Sequence, residues 1–213
     1  MTSSVRAPAG PSQRLIRSRF QQTIDAGEAY FAANADAIAA CASAMADRFF
    51  EGGRLLVFGA GSGTTDAQHN SVEYVHPVLT GCRALPALSL TNDGATVTGI
   101  LLGDDPASVF AHQVRVLGRP GDMAIAFADV PTAAAITRGL EAAEAGDLLT
   151  VALLTGSAEG RRIADHQFEA RSDDHMTTQE LHLATYHMLW ELVHIVLNHR
   201  GIPRGSASPE AFS

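Results

Sequence analysis

Cysteine, positive charge and long apolar runs are all in short supply in this sequence, and each shortage excludes a class of protein. Among 213 residues there are two cysteines, Cys41 and Cys82, set in separate apolar surroundings without CxxC spacing. That excludes a disulfide framework and a zinc knuckle and predicts two buried thiols. Lys and Arg together number 15 against 23 acidic residues, for a formal net charge of -8. A nucleic-acid backbone or an anionic membrane surface is repelled on average by such a chain, so neither is expected as a partner. No run approaches the roughly 18 to 20 apolar residues of a membrane span. The start, MTSSVRAPAGPSQR, lacks the apolar core of a secretion signal. A cytoplasmic protein is the expectation.

What is present is apolar content enough for one core: 46% of the residues are hydrophobic. The expected organisation is a single domain over 13–204, with disordered or flexible tails at 1–12 and 205–213 (GSASPEAFS). Between Ser12 and Glu51 apolar residues recur at spacings of three and four, which predicts an N-terminal helical pair broken near Ala33 to Asp36. The pattern then changes to short, nearly continuous apolar runs, read as strands at 54–59, 84–91, 122–128, 149–155 and 166–171. Helical stretches are read at about 64–79, 93–102, 105–118, 131–145 and 158–164. A last helix is predicted from Thr177 to about His199, with Thr177 and Glu180 as a capping box and Gly201 and Pro203 as the stop. Apolar strands separated by helices define an α/β fold with a five-stranded parallel sheet sandwiched by helices, of flavodoxin-like or Rossmann-like type.

The first strand runs into GAGSGTTDAQHNSVE, Gly59 to Glu73. Its three glycines predict a tight turn leading into a helix, where backbone amides can meet an anion or a polar oxygen. A turn that only lets strand and helix pack closely is the competing explanation. A dinucleotide fingerprint is excluded by the spacing, because the third glycine arrives one place early. The acidic residue that ends the second strand, Asp93, comes some thirty residues on instead of about twenty. A Walker loop is excluded because no lysine stands near.

Four residues apart on the next helix, His69 and Glu73 share one face and can converge on one ion or one substrate, although a solvated ion pair has the same spacing. The last helix adds Gln179, His182, His187 and His194 to an otherwise apolar sequence. At 100° per residue Gln179 and His187 lie about 80° apart, so both can lean into one cleft. His194 and His199 read as hydrogen-bonded structural histidines. Asp66 reads as a complement to the helix dipole.

The stretches GAGSGTTDAQHNSVE, LPALSLTND, RPGDMAIAFA, LTVALLTG and QELHLATYH resemble the sugar isomerase (SIS) domain, in particular the bacterial phosphoheptose isomerases, over about residues 13–200. The resemblance implies an SIS-type sheet and an aldose-ketose isomerase working through an enediol. It implies Glu73 as base, His187 as acid, and His69, Glu73, Gln179 and His187 around a divalent cation, with zinc suited to that mixed N and O set. It implies a homotetramer with active sites between subunits. Gly61, Ser62, Gly63 and Thr64 are the expected substrate loop, with Asp93 and Asp129 as further binding residues.

One stretch departs from the family. Where its members carry a Ser-Thr-Ser-Gly-Asn-Ser loop around the substrate phosphate, this sequence reads Ala128, Asp129, Val130, Pro131, Thr132, Ala133. Asp129 in a phosphate cradle costs about 1 to 4 kcal/mol for charges about 4 Å apart. A phosphorylated sugar and an unphosphorylated one therefore both stand as substrate classes. Two non-catalytic readings compete: a tetrameric adaptor like the SIS proteins that bind the replication initiator, and a sugar-sensing module. The resemblance argues against the adaptor, because those relatives lack a glutamate and a histidine at the places of Glu73 and His187.

Overall fold

A computed structural model describes residues 10–79, 81–128 and 133–201. The elements follow in the order α1 (Pro11–Phe50), β1 (Leu55–Gly59), α2 (Gly63–Val75), β2 (Ala87–Ser89) and α3 (Gly94–Leu101). After a 3-10 turn at Pro106–Ser108 come α4 (Val109–Leu117), β3 (Met123–Ala128), α5 (Ala134–Ala145), β4 (Leu149–Thr155), β5 (His166–Ala170) and α6 (His175–His199). The five strands form one parallel sheet in the order β2-β1-β3-β4-β5. Every residue of β1 and β3 is buried, as a strand covered on both faces requires.

The five-stranded parallel sheet between helices is the expected architecture, and the differences are local. The N-terminal helical pair is a correction: α1 is one unbroken helix of 40 residues. Ala33 to Asp36 contains no Pro or Gly to break it, and Asn34 donates its side-chain amide to the Tyr30 carbonyl 2.8 Å away, one turn back. Pro11 and Ser12, expected in the tail, form its first turn, where a proline gives up no bond. Gly10 is the N-cap of α1, and residues 1–9 and 205–213 of the expected tails lie outside the described residues.

No helix forms at 158–164. Glu159 and Gly160 have φ of 53° and 78°, and the amides of Ala158 and Ile163 donate to side chains of β5, Glu169 and Gln167. Helix α2 stops at Val75 because Pro77 follows. The second strand keeps only three residues, since Pro86 cannot donate and the Leu85 amide is turned to the Tyr74 carbonyl. At α6 the cap is Asp174, which accepts from the Thr177 amide at 3.0 Å and its hydroxyl at 2.7 Å, so the predicted Thr177–Glu180 box does not form. Glu180 instead accepts from Thr23 on α1.

Alternate strand residues divide the interior. Leu55, Val57, Ile125, Phe127 and Phe168 face α1, α2 and α6. Leu56, Phe58, Ala124, Ala126 and Leu154 face α4 and α5. The strand order reverses between β1 and β3, so a crevice opens beyond their C-terminal ends, the place where open α/β sheets hold ligands. The glycine loop leaves β1 at that point. A Cβ on Gly63 would come within 2.9 Å of the Phe127 carbonyl oxygen, so glycine is required for α2 to start this close to β3.

Candidate active site

Helices α2 and α6 bring the polar residues together on the α1 side of the sheet. On α2, the one-turn spacing puts His69 Nε2 3.1 Å from Glu73 Oε1. On α6, Trp190 donates its indole N–H to the Glu73 carbonyl at 2.8 Å, which ties the two helices at the level of the cluster. The ligand atoms of His69, Glu73 and His187 all lie within 4.8 Å of one another. The rings of His69 and His187 stand perpendicular with centroids 5.4 Å apart. Glu73 is the more enclosed, its side chain 12% exposed against 43% for His69.

Electrostatics separate these groups. Partial desolvation lowers the His187 pKa below the usual imidazole value; Glu73 opposes this and His69 adds to it. His187 therefore stays neutral close to pH 7 and can take up or release a proton. Tyr186 is pushed well above the usual phenol range by burial, and further by the Asp66 and Glu73 carboxylates. Its hydroxyl keeps its proton and sits 2.7 Å from His69 Nδ1.

Gln179 lines a cavity of about 340 Å³ together with Thr65, Asp66, His69 and Tyr186, so it faces the same cleft as His69. In the glycine loop, the amides of Gly63, Thr64 and Thr65 bond the carbonyls of Ala60, Gly61 and Ser62. The Thr64 hydroxyl donates to the Gly59 carbonyl at 3.1 Å. These groups brace the turn, and Ser62 Oγ reaches across it to His175 Nε2 at 3.3 Å. Asp93 is placed elsewhere: it caps α3, accepting from the amides of Ala95 and Thr96 and from the Thr96 hydroxyl. It lines a separate cavity with Leu90 and Gln113. Asp129 lies outside the described residues, as do Val130 to Thr132.

Three neighbours escaped the sequence reading: Tyr186, Trp190 and His175. Tyr186 follows Gln179 by seven residues, two turns, so it lies on the same face of α6, and that spacing was the available signal. His194 is structural, as expected, with its ring nitrogens against the carbonyls of Trp190 and Arg83.

Two imidazoles and a carboxylate are a donor set that fits a divalent cation of borderline character. The sequence pattern described as the SIS domain matches residues 20–155, and the chain belongs to that family. Its curated relatives carry a more particular name. A phosphoheptose isomerase of Thermodesulfovibrio yellowstonii is 31% identical over 185 residues, covering 85% of this chain and 91% of the relative. One from Roseiflexus sp. is 32% identical over 190 residues, covering 88% and 95%. The solved structure of a phosphoheptose isomerase from Francisella tularensis superposes with a TM-score of 0.78 at 29% identity, over 87% of this chain and all of that one.

Proposed function

We propose that this chain is a phosphoheptose isomerase-type enzyme that interconverts a ketose phosphate and an aldose phosphate, of the sedoheptulose 7-phosphate to heptose 7-phosphate kind. The observation that carries the proposal is the meeting of Glu73 and His187, from helices 100 residues apart in sequence, on the α1 side of the sheet. Isomerisation needs one group to move a proton between adjacent carbons and another to move protons on the oxygens. Glu73 removes the proton from the carbon beside the carbonyl and returns it to the neighbouring carbon, through an enediol. His187, neutral near pH 7, exchanges protons with the two oxygens. Trp190, bonded to the backbone of Glu73, holds the base in place.

His69, Glu73, Gln179 and His187 would hold the divalent cation, with zinc the fitting choice. Such an ion would polarise the carbonyl and stabilise negative charge on the oxygens. The substrate loop would be Gly61 to Thr64, with Asp129 close by in sequence to the end of β3. The phosphorylated substrate draws its support from the relatives.

The catalytic unit is a single domain, supported by the one sheet that runs from β1 to β5 and by α1 packed on α6. Assembly as a homotetramer, with sites between subunits, is supported by apolar side chains left in solvent. Ile16, Phe20 and Ile24 recur every fourth residue on α1, and Val72 and Met188 lie on the two helices of the cluster, all between 47% and 71% exposed. A cytoplasmic location goes with a charged sugar phosphate, which does not cross a bilayer unaided. Among the described residues no helix is long and apolar enough to span a membrane.

Conversion of sedoheptulose 7-phosphate to an aldose phosphate by the full-length protein, followed by NMR with Glu73→Gln alongside, tests the proposal. Turnover that disappears in the variant supports it. A wild-type protein that converts no sugar phosphate, or a variant as active as wild type, overturns it.

A further inference from the structure

The hydroxyl of Tyr186 lies 2.7 Å from Nδ1 of His69, whose other nitrogen lies 3.1 Å from Glu73 Oε1. An ionised carboxylate only accepts hydrogen bonds, so in this arrangement Nε2 must carry the ring proton. In the neutral imidazole Nδ1 is then an acceptor, and the Tyr186 hydroxyl donates to it. The bonding runs in one direction: tyrosine O–H to Nδ1, then Nε2–H to carboxylate. An imidazole that binds a metal through Nε2 needs its lone pair there and its proton on Nδ1, usually donated to an oxygen beyond the metal. The same tyrosine oxygen can accept that bond, provided its own proton finds another acceptor.

We propose that Tyr186 is the positioning residue that fixes the ring orientation and tautomer of His69, donating to Nδ1 while Nε2–H faces Glu73 and accepting from Nδ1–H when Nε2 becomes a ligand. This rests on the isomerase reading of the same cluster and adds to it a residue that touches neither substrate nor ion. Protons balance in the change: Nε2 gives one to solvent and Nδ1 takes one from solvent. The phenol stays intact and only turns. Asp66, which is buried and lines the same cavity as His69 and Tyr186, offers the carboxylate toward which the hydroxyl turns. The tyrosine itself is held in place: its ring is fully buried and packs edge-on to Phe127, with centroids 5.5 Å apart. The position of the oxygen is therefore set by β3 and α6, independently of His69.

Tyr186→Phe tests the inference, since it removes one oxygen from a packed ring. Tyr74→Phe serves as the comparison: Tyr74 is equally buried, and among the described residues its hydroxyl has no hydrogen-bond partner. The first readout is the ring-nitrogen NMR spectrum of metal-free, full-length protein, with His69 assigned by its loss in His69→Asn. Wild type and Tyr74→Phe should show a single Nε2–H form. In Tyr186→Phe the His69 signals should shift and broaden as the ring loses its second anchor. The second readout is zinc affinity by chelator competition, expected to fall about 10- to 100-fold in Tyr186→Phe and to hold in Tyr74→Phe. A His69 spectrum unchanged by Tyr186→Phe overturns the proposal, as does equal zinc affinity in the two tyrosine variants. If wild type takes up no zinc, the ligand set fails as a separate matter, and the ring spectrum alone decides the part played by Tyr186.

Discussion

Helices α4 and α5 cover one face of the sheet, and the side chains they bury are Val109, Phe110, Val114, Ile136, Leu140 and their like, with Gln113 as the one polar exception among the described residues. Helices α1, α2 and α6 cover the other face. There α2 and α6 alone bury Asp66, Asn70, Ser71, Thr177, Thr178, His182, Thr185 and His194. Burying a polar group costs free energy unless it is bonded. A layer that accepts this cost at many positions holds side chains in fixed directions by hydrogen bonds, as Thr185 does with Tyr30 at 3.1 Å. The layer that avoids it relies on shape alone, as in the stack of Phe58 on Phe110 with centroids 5.0 Å apart. The contrast says which layer is scaffold and which is machinery.

Opposite substitutions should separate the two. On the polar side, Glu73→Gln is expected to cut turnover by about 10² to 10⁴-fold, the usual contribution of a positioned acid or base, while thermal unfolding stays near wild type. On the apolar side, Phe110→Ala should do the reverse. Phe110 is 5% exposed, and truncating it should cost about 3–5 kcal/mol of stability in urea unfolding. Its kcat and KM, measured well below the unfolding midpoint, should hold. A Phe110→Ala protein that is stable but inactive would dissolve the distinction.

A smaller effect should appear at the start of α6, where acid stability and site geometry meet. Asp174 is held down to about 2, from 3.8, chiefly by the Thr177 hydroxyl; burial opposes this and Arg19 assists it. The sign follows from the lowered value: its contribution is present above about pH 4 and is lost as the pH falls towards 2. Asp174→Asn should therefore flatten that part of the stability profile and leave stability above pH 5 less dependent on pH than wild type is below it. An unchanged acid limb in unfolding experiments between pH 2 and pH 5 would remove Asp174 as the group that sets the beginning of the helix.

How much of this was readable in the sequence divides along the same line. The strands on which both layers rest showed as apolar runs, and β1, β3, β4 and β5 fall within a residue or so of where hydrophobicity puts them. His69 and Glu73 were visible as a pair because one helical turn is a local relation. Tyr186 was not singled out, since its bond to His69 spans 117 residues and exists only once α2 and α6 pack. The errors have local causes of another kind. The break expected near Ala33 to Asp36 is absent because nothing there, neither Pro nor Gly, interrupts α1, and the expected helix at 158–164 lost its amides to partners on β5. Asp93 showed an acidic residue at the right edge of the sheet, but periodicity could not reveal that the amides of Ala95 and Thr96 and the Thr96 hydroxyl would claim its oxygens.

The smallest expected effect is also the sharpest contrast within the polar layer itself. Tyr74 and Tyr186 are both fully buried, one on each helix of the cluster. The hydroxyl of Tyr186 is bonded to His69, whereas that of Tyr74 meets no partner among the described residues; the Tyr74 ring packs against those of Phe49 and His194. An unsatisfied buried hydroxyl carries its desolvation cost of about 1–3 kcal/mol with nothing to offset it. Removing it should therefore be neutral or stabilising, by up to about 1 kcal/mol once the small gap left behind is counted. Tyr74→Phe is expected to unfold at or slightly above the wild-type urea midpoint with turnover intact, because the ring that packs against Phe49 remains. A loss of more than about 1 kcal/mol would mean that this hydroxyl, too, belongs to the bonded network. Polarity in this layer would then be organised as far as the base of α2, beyond the neighbourhood of Glu73.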